Sequence, residues 1–429
     1  MEILKTLHDY LYLEISSKLI GRLFLMIVAG LSFSIPSLSF AGTPVHGARA
    51  AGMASAFTGL ADDPSAIMHN PAGLTQVKGT NIYSGVTALI PSAEYTSPSG
   101  ESEETDFNAF FPPNLYMSSD FNMANVVLGL GIFCPFGIGG GSWSEDGLTR
   151  YVSTESTITT LSVNPTLAWQ ITPKLSIGLG VFYLHSFNTA EQMIDQSMFG
   201  AADGKFSLKA DGGGWGYNLG VLVTPFEKLS FGFAFRSHVS VDQKGDVELE
   251  NIAPALQPLF GGPQYKTKVE TSLDFPETIS FGIAYKPINI LTLAFDVEWL
   301  NWSRFDHQTL DFEHEVPGAG FSDRVIDFDW KDQWFIKFGL EYDLNEKFAI
   351  RTGYAFIKTQ VPDHTLSPAY PDEDGHNFNV GFGYKINKWT VDGFYIAEFY
   401  NKRKVNNDIL SGEYKNTAQF IGLSLGYKF

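Results

Sequence analysis

The stretch "WFIKFGLEYD", residues 334 to 343, alternates between two kinds of side chain. Trp334, Ile336, Phe338, Leu340 and Tyr342 are all apolar or aromatic, whereas the residues between them are mostly small or charged. Successive side chains of a β-strand point to opposite faces of its sheet. The stretch therefore predicts a strand with one apolar face and one face that is small, polar or charged.

The same alternation recurs along the chain from about residue 80, in residues 175–183, 229–241, 279–285, 291–299 and 348–356. In residues 229–241 it places Arg236 and His238 on the polar face, with Val239 and Val241 on the apolar face. The connections alternate between short turns and long loops, the loops covering about residues 95–110, 138–157, 188–213, 242–269, 306–330, 360–376 and 402–414. Counting strands between these connections predicts fourteen.

Two kinds of protein have alternating strands: soluble β-sandwiches and transmembrane β-barrels. The strands predicted here are about 10 to 13 residues long, whereas strands of soluble proteins are usually about 5–6. Short turns at one end, long loops at the other and aromatic residues near the strand ends are typical of an outer-membrane barrel. Charged residues make up only 18% of the chain, below the roughly 25% of a usual soluble domain. The sequence therefore favours an all-β, antiparallel transmembrane barrel.

The first 41 residues have the pattern of an export signal. Lys18 and Arg22 precede the apolar run 23–35, and Ser39 and Ala41 occupy the small positions before a cleavage site. We therefore place cleavage after Ala41. The alternative is a membrane-anchoring helix, which is disfavoured because the run is short of the roughly 20 apolar residues that a span needs. The net charge of −18 argues against a nucleic-acid partner.

The C-terminal stretch "QFIGLSLGYKF", residues 419–429, alternates in the same way and ends on Phe429. The last strand of a barrel must pair with the first, so this end is predicted to be part of the wall. A terminal Phe on such a strand resembles the signal by which bacterial outer-membrane proteins engage the barrel assembly machinery.

Several long blocks resemble a known family, the outer-membrane long-chain fatty acid and hydrocarbon transporters of the FadL/TodX type. They are "HGARAAGMASAFTGLADDPSAIMHNPAGL" from residue 46, "GLGIFCPFGIGGGSW" from residue 129, "FPETISFGIAYKPINILTLAFDVEWLNWSRF" from residue 275, the region 330–386 and the closing strand. The blocks occur in order and span nearly the whole predicted mature chain.

The resemblance implies a fourteen-stranded barrel, residues 80–429, whose lumen is blocked by a small N-terminal hatch, residues 42–79. The family's Asn-Pro-Ala hatch motif matches Asn70, Pro71 and Ala72. In the family this motif lies against a kink in the third strand, where the wall opens sideways. The third strand is predicted at about residues 124–136, and the candidate kink and gate residues are Gly129, Gly131, Pro135 and Gly137. Glycine and proline weaken strand pairing, although Pro135 could instead simply end the strand.

The family's transport route, carried over, is passive: capture of a hydrophobic molecule at the loops, binding in the lumen and lateral release into the bilayer. A fatty acid needs a cation or donors for its carboxylate. The candidates facing the lumen are Arg236, Lys337 and Arg351, with His238 a weaker one. Asp296, Glu298 and Glu341 share that face, so the alternative is a ladder of ion pairs that braces the wall. A neutral aromatic or alkane hydrocarbon is the alternative substrate.

The long loops carry two further candidate features. Apolar residues could form a capture groove or merely pack as a lid: Phe187, Met193, Ile194, Met198, Phe199, Ile252, Leu256, Leu259 and Phe260. Acidic residues could bind divalent cations that bridge lipopolysaccharide, or simply be solvated: Glu94, Glu101, Glu103, Glu104, Asp106, Asp306, Asp311, Glu313, Glu315, Asp323, Asp327 and Asp329.

Three other functions were weighed: a lipid-modifying barrel enzyme, an open porin, and a surface adhesin or phage receptor. The adjacent Ser237 and His238 point to opposite faces of a strand and so cannot form a catalytic pair. The predicted hatch argues against an open porin. We expect a monomer that is not an enzyme and has no cofactor or resident metal. Its partners would be a hydrophobic small molecule and outer-membrane lipids.

Overall fold

The computed structural model describes residues 45–138 and 141–429. The predicted signal peptide, the cleavage site after Ala41 and the first residues of the predicted hatch, 42–44, lie outside the described residues.

Fourteen antiparallel strands form one sheet that closes on itself. Three of them, β3, β7 and β8, each consist of two consecutive segments. The strands are β1 (Thr80–Thr96), β2 (Pro113–Ser119), β3 (Val126–Phe133, then Gly137–Ile138), β4 (Glu155–Thr172), β5 (Leu175–Ile194), β6 (Gly204–Phe226), β7 (Leu229–Arg236, then Val239–Glu250), β8 (Tyr265–Phe275, then Thr278–Ile288), β9 (Leu291–Leu300), β10 (Gln333–Asp343), β11 (Phe348–Ile357), β12 (Gly375–Ile386), β13 (Trp389–Tyr400) and β14 (Gly412–Lys428). The first and last strands pair from Asn81 with Lys428 to Thr96 with Glu413. The predicted fourteen-stranded barrel is confirmed.

The wall has the two faces that the opening stretch predicts. On β10, Trp334, Ile336 and Phe338 are 46%, 38% and 50% exposed, whereas Lys337 and Glu341 are buried. An outward face of large apolar side chains is suited to lipid, and the inward face holds the polar groups.

One strand changes face partway along, and this corrects the prediction for His238. On β6, Asn218 pairs with Arg236 and Gly213 pairs with Asp242. Between these two pairs β6 advances by five residues and β7 by six. The extra residue on β7 forms a β-bulge at Ser237–His238. A bulge shifts the alternation by one residue. His238 consequently faces outward and is exposed, while Val239 and Val241 face inward and are buried, which reverses the predicted faces.

Residues 45–79 fill the interior of the barrel with short helices. They are α1 (Ala48–Ala51), α2 (Ala66–His69) and a 3-10 helix, Pro71–Gln76. Met53, Phe57, Ile67 and Leu74 are fully buried and pack with wall residues such as Val127 in one apolar cluster. Small residues dominate this segment because its backbone lies directly against the inner wall.

The long connections carry additional short elements at one end of the barrel. They are the strands Ser102–Glu104, His307–Phe312, Arg324–Asp327 and Arg403–Val405, the helix α3 (Gln257–Phe260), and the 3-10 helices Ser197–Phe199, Trp302–Arg304 and Pro317–Ala319. The predicted loops 188–213 and 242–269 are in large part strand, because β5 to β8 extend beyond the rest of the wall. None of the helices in the described residues is long and apolar enough to cross a membrane.

The third strand is interrupted at Cys134–Phe136. Through Gly129 and Gly131 it is regular and pairs with both neighbours, from Leu128 with Ser119 to Ile132 with Leu115 on β2. Beyond Ile132 the pairing with β2 stops, and β3 keeps β4 alone as its partner at Gly137–Ile138. The break in the wall therefore lies at Pro135, not at Gly129–Gly131.

Candidate functional site

The hatch motif is anchored by the side chain of Asn70. Its Nδ2 donates to the carbonyl oxygen of Thr58 at 2.9 Å and to that of Val221, on β6, at 3.0 Å. Its Oδ1 accepts the N–H of Ala72 at 3.2 Å, which starts the 3-10 helix behind Pro71. The amide thus satisfies groups of the hatch and of the wall together, in a site from which solvent is excluded.

Glycines of the wall make room for this motif. A Cβ atom on Gly220 would lie 2.2 Å from Asn70 Oδ1, and one on Gly178 would lie 2.4 Å from the backbone of Pro71. These residues belong to β6 and β5, so the motif contacts those strands. Gly129 and Gly131, predicted as a kink, instead accommodate the side chain of Ile67, with a Cβ on either at about 3 Å from it. These glycines therefore form the part of the inner wall against which the hatch packs.

A chain of charged groups ties the hatch to the far wall. Arg49 is 2.5 Å from Asp62 and 2.8 Å from Glu341 of β10. Glu341 also lies 2.6 Å from Arg351 of β11, which lies 2.7 Å from Asp392 of β13. Arg351 is therefore held by two carboxylates and does not line the cavity described below. Its contacts are those of a brace.

A narrow cavity lies between the hatch and the long-loop end of the lumen. Counted as the space open to the centres of water-sized spheres, its volume is about 130 Å³. Its lining is mainly apolar, and it reaches the break in β3 at Cys134–Gly137. The polar or charged residues that line it are His46, Ser55, His69, Thr87, Asn218, Arg236, Thr278, Ser280, Glu298, Gln333 and Lys337.

Arg236 enters this cavity without a carboxylate partner among the described residues. Its guanidinium donates from Nη2 to Asn164 Oδ1 at 3.2 Å, and Nη1 has no hydrogen-bond partner there. The group lies 4.6 Å from the ring centre of Phe182 and 5.6 Å from that of Phe133. The side chain is buried, and an unpaired buried cation is costly unless an anion or water reaches it.

Lys337 lines the same cavity but is already paired. Its Nζ is 3.0 Å from Glu298 Oε1, and the other oxygen of Glu298 accepts the hydroxyl of Ser280 at 2.8 Å. Asp296, the remaining acid singled out on this face, accepts the backbone N–H groups of Phe57 and Thr58 at 2.8 and 2.7 Å. Of the three predicted cations, Arg236 alone lacks a carboxylate partner among the described residues.

Sequence reasoning missed the residues that position Arg236. Asn164, on β4, connects it to Asn218 on β6, whose Nδ2 donates to the carbonyl oxygen of Ile67 in the hatch at 3.1 Å. His46, also missed, lines the cavity from the hatch side. The alternation places Asn164 and Asn218 on inward faces. Their contact with each other and with Arg236, however, depends on how β4, β6 and β7 curve around the lumen, which the sequence pattern does not show.

The loop candidates are dispersed in the structure. Phe187 belongs to β5 and is 50% exposed, Met198 is 83% exposed, and Ile252 is buried. In the acidic loops, Glu103 accepts the backbone N–H groups of Ser144 and Thr149. Within residues 45–138 and 141–429 no three His, Cys, Asp or Glu side chains are grouped as ligands for a metal ion.

The family model described as "Outer membrane protein transport protein (OMPP1/FadL/TodX)" matches residues 34–429. The chain belongs to this family. It is an outer-membrane protein, and the family's solved barrels share its architecture.

Relatives and solved structures agree with this assignment. The chain is 27% identical to a putative outer membrane protein of Neisseria meningitidis, over 94% of this chain and 98% of the relative. It is 22% identical to the long-chain fatty acid transport protein of Escherichia coli K12, over 91% and 94%. A Pseudomonas aeruginosa FadL homologue superposes with a TM-score of 0.80 at 19% identity, covering 91% of this chain and all (100%) of the other. The Pseudomonas putida toluene transporter TodX gives 0.74 at 15%, covering 90% and 99%.

Proposed function

We propose that this protein transports long-chain fatty acids passively through the outer membrane. The molecule is captured at the extracellular loops, binds in the cavity above the hatch and leaves sideways through the break in β3. The observation that carries the proposal is Arg236, a buried guanidinium with an unpartnered Nη1 at an apolar cavity.

An axial route is disfavoured by the hatch. Residues of the hatch contact inward-facing residues around the wall, including Asp296 on β9, Glu341 on β10 and Asn379 on β12. A polar pore would also serve an acyl chain poorly, because its apolar surface is costly in water. Both points support a route that avoids the periplasmic end of the lumen.

A lateral route is supported by the position of the break. The cavity is lined on one side by Pro112 and Pro113, which precede or begin β2, and on the other by Cys134–Gly137. No ladder pairing joins β2 to this part of β3. The prolines at this edge have no backbone N–H, so they cannot donate the hydrogen bonds that would pair β2 with this part of β3.

The carboxylate suits Arg236 because a charge-assisted hydrogen bond is about twice as strong as a neutral one. The cavity lining is mainly apolar, and an environment of low polarity strengthens the interaction further. Lys337 is less available because Glu298 neutralises it.

The test is uptake of radiolabelled oleate by a bacterium that lacks its own fatty acid transporter and expresses this chain. We expect Arg236→Gln to lower uptake about tenfold, equivalent to about 1.4 kcal/mol. The matched control is Arg324→Gln, because Arg324 is exposed on a loop strand. Heat-modifiable migration of the barrel on gels verifies folding of each variant.

Neutral hydrocarbons are the second candidate, favoured by the aromatic rings of Phe133 and Phe182 around the cation. Labelled toluene is measured in parallel. Toluene uptake without oleate uptake, unchanged in Arg236→Gln, would assign the chain to hydrocarbons and make Arg236 a brace. Uptake of neither by a folded barrel would refute the transport proposal.

A further inference from the structure

His46 occupies the hatch side of the cavity in a fixed position. Its side chain is 2% exposed and lines the cavity. The following residue, Gly47, has φ +79°, and a Cβ there would lie 2.9 Å from Ser65. His69 Nε2 is 2.9 Å from the carbonyl oxygen of His46. The backbone of His46 is thus held on both sides of its Cα.

Neither ring nitrogen of His46 has a hydrogen-bond partner among the described residues. Burial, together with the nearby His69, Arg236 and Lys337, lowers the pKa of this imidazole well below its ordinary value. The ring is therefore neutral at pH 7, with one N–H donor and one acceptor nitrogen. Leaving both unsatisfied costs about 1–3 kcal/mol each, so such a group calls for a partner from outside the chain.

The unpartnered groups of His46 and Arg236 lie around one aromatic ring. Phe133, the last residue before the break in β3, has its ring centre 5.2 Å from that of His46 and 5.6 Å from the Arg236 guanidinium carbon. Both groups also line the same cavity, so a molecule bound there has access to each of them. The cavity continues from there to Cys134–Gly137, where an apolar chain would extend.

We infer that His46 and Arg236 together bind the oxygen-bearing head group of the transported molecule beside Phe133, with His46 as the positioning donor from the hatch. This inference rests on the proposed function and deepens it. A carboxylate is the head group that fits best, because it offers two acceptor oxygens and both the guanidinium and the neutral imidazole present N–H donors. The hatch thereby becomes a part of the ligand site as well as a plug.

The test compares three 18-carbon ligands on the purified full-length barrel at one detergent concentration: oleate, oleyl alcohol and 1-octadecene. Each ligand displaces a fluorescent fatty acid, and relative affinities are measured. We expect His46→Leu to weaken oleate at least fivefold and oleyl alcohol less, with 1-octadecene unchanged. His46→Gln, which keeps a donor, restores most of the oleate affinity. His238→Leu is the matched control, since His238 is exposed on the outer face.

A second measurement follows His46 in the protein without substitutions, and a variant is needed only to assign the signal. With 15N-labelled histidine, oleate shifts the ring-nitrogen resonance of His46 in the unaltered protein, and the resonance is assigned by its loss in His46→Gln. Unchanged oleate affinity in His46→Leu, or equal weakening of all three ligands, would overturn the inference. If oleate displaces nothing from the unaltered barrel, the proposed function fails and the inference with it. If Arg236→Gln alone weakens oleate, only the role of His46 is lost.

Discussion

Arg236 and Asn164 are joined by a hydrogen bond of 3.2 Å from the guanidinium Nη2 to the amide Oδ1. Asn164 Nδ2 in turn lies 3.2 Å from Asn218 Oδ1, and Asn218 Nδ2 donates to the carbonyl oxygen of Ile67 at 3.1 Å. Ile67 is in α2, directly before the Asn-Pro-Ala motif. A continuous polar chain therefore connects the cation of the cavity with the hatch.

Breaking this chain at its centre should affect the hatch and the ligand together. Asn218→Leu leaves the carbonyl oxygen of Ile67 without its side-chain donor, at a cost of about 1–3 kcal/mol, and removes one of the acceptors of the Asn164 amide. We expect oleate affinity to fall and hydrogen exchange of α2 to accelerate. Asn416→Leu is the control, because this wall Asn is buried but its Oδ1 has no partner among the described residues. Faster exchange of α2 without any loss of oleate affinity would show that these hydrogen bonds do not couple the hatch to the ligand site.

Removing the anchor of the hatch motif should loosen the plug. Asn70→Ala deletes three hydrogen bonds, each worth about 0.5–1.5 kcal/mol net, in a site with no access to water. We expect ion conductance in planar bilayers to rise, with frequent transient openings. Gln419→Ala, which removes an exposed amide of the wall, should conduct like the unaltered protein. Unchanged conductance in Asn70→Ala would mean that the motif does not hold the hatch closed.

Enlarging a wall glycine that packs against the hatch motif should disturb the hatch as much as removing Asn70 does. In Gly220→Ala the new methyl would lie 2.2 Å from Asn70 Oδ1 and 2.7 Å from Pro71 Cδ, so the hatch must shift. We expect lower thermal stability, by about 1–3 kcal/mol, and raised conductance. Gly318→Ala is a clean comparison, because its nearest neighbour would be 3.9 Å away. Equal stability of the two variants would contradict the tight contact.

The break in β3 is held to β4 by one hydroxyl. Thr160 Oγ1 accepts the N–H of Phe136 at 3.0 Å and donates to the carbonyl oxygen of the same residue. Thr160→Val keeps the shape and removes both bonds. We expect altered oleate uptake with little change in oleate affinity, because only the proposed exit is changed. Thr157→Val is the matched control, since its buried hydroxyl has no partner among the described residues. Identical uptake by both variants would argue against an exit at this break.

Asp372 should make one of the long loops sensitive to pH. Burial raises the pKa of this carboxyl to about 7, although Thr359 and Arg403 oppose the shift. Between about pH 4 and 7 the closed loop keeps a proton that an exposed carboxyl has lost, so opening becomes easier as pH rises, by roughly 3–4 kcal/mol in all. We expect corrected hydrogen-exchange rates of residues 359–374 to rise over that range. In Asp372→Asn this dependence should disappear, and its persistence would implicate another group.

The alternation of side chains was enough to predict the wall, because a strand has only two faces and the bilayer demands that one be apolar. It placed Arg236, Lys337 and Arg351 inward correctly. It failed at His238, since a bulge adds one residue and leaves no mark in the pattern of residue types. It also predicted loops where β5 to β8 continue as strand, because charged residues outside the membrane do not show which segments remain paired.

The sequence by itself determined the barrel, its number of strands and the inward position of the candidate cations, because these depend on periods of two residues and on turn spacing. The tertiary structure alone decided which of these cations lacks a carboxylate partner among the described residues. Arg351 and Lys337 meet carboxylates from neighbouring strands, while Arg236 meets an amide and two rings. It also brought His46 from the hatch to the same aromatic ring. These contacts join residues that lie far apart in the chain. They form only when the sheet closes around the hatch.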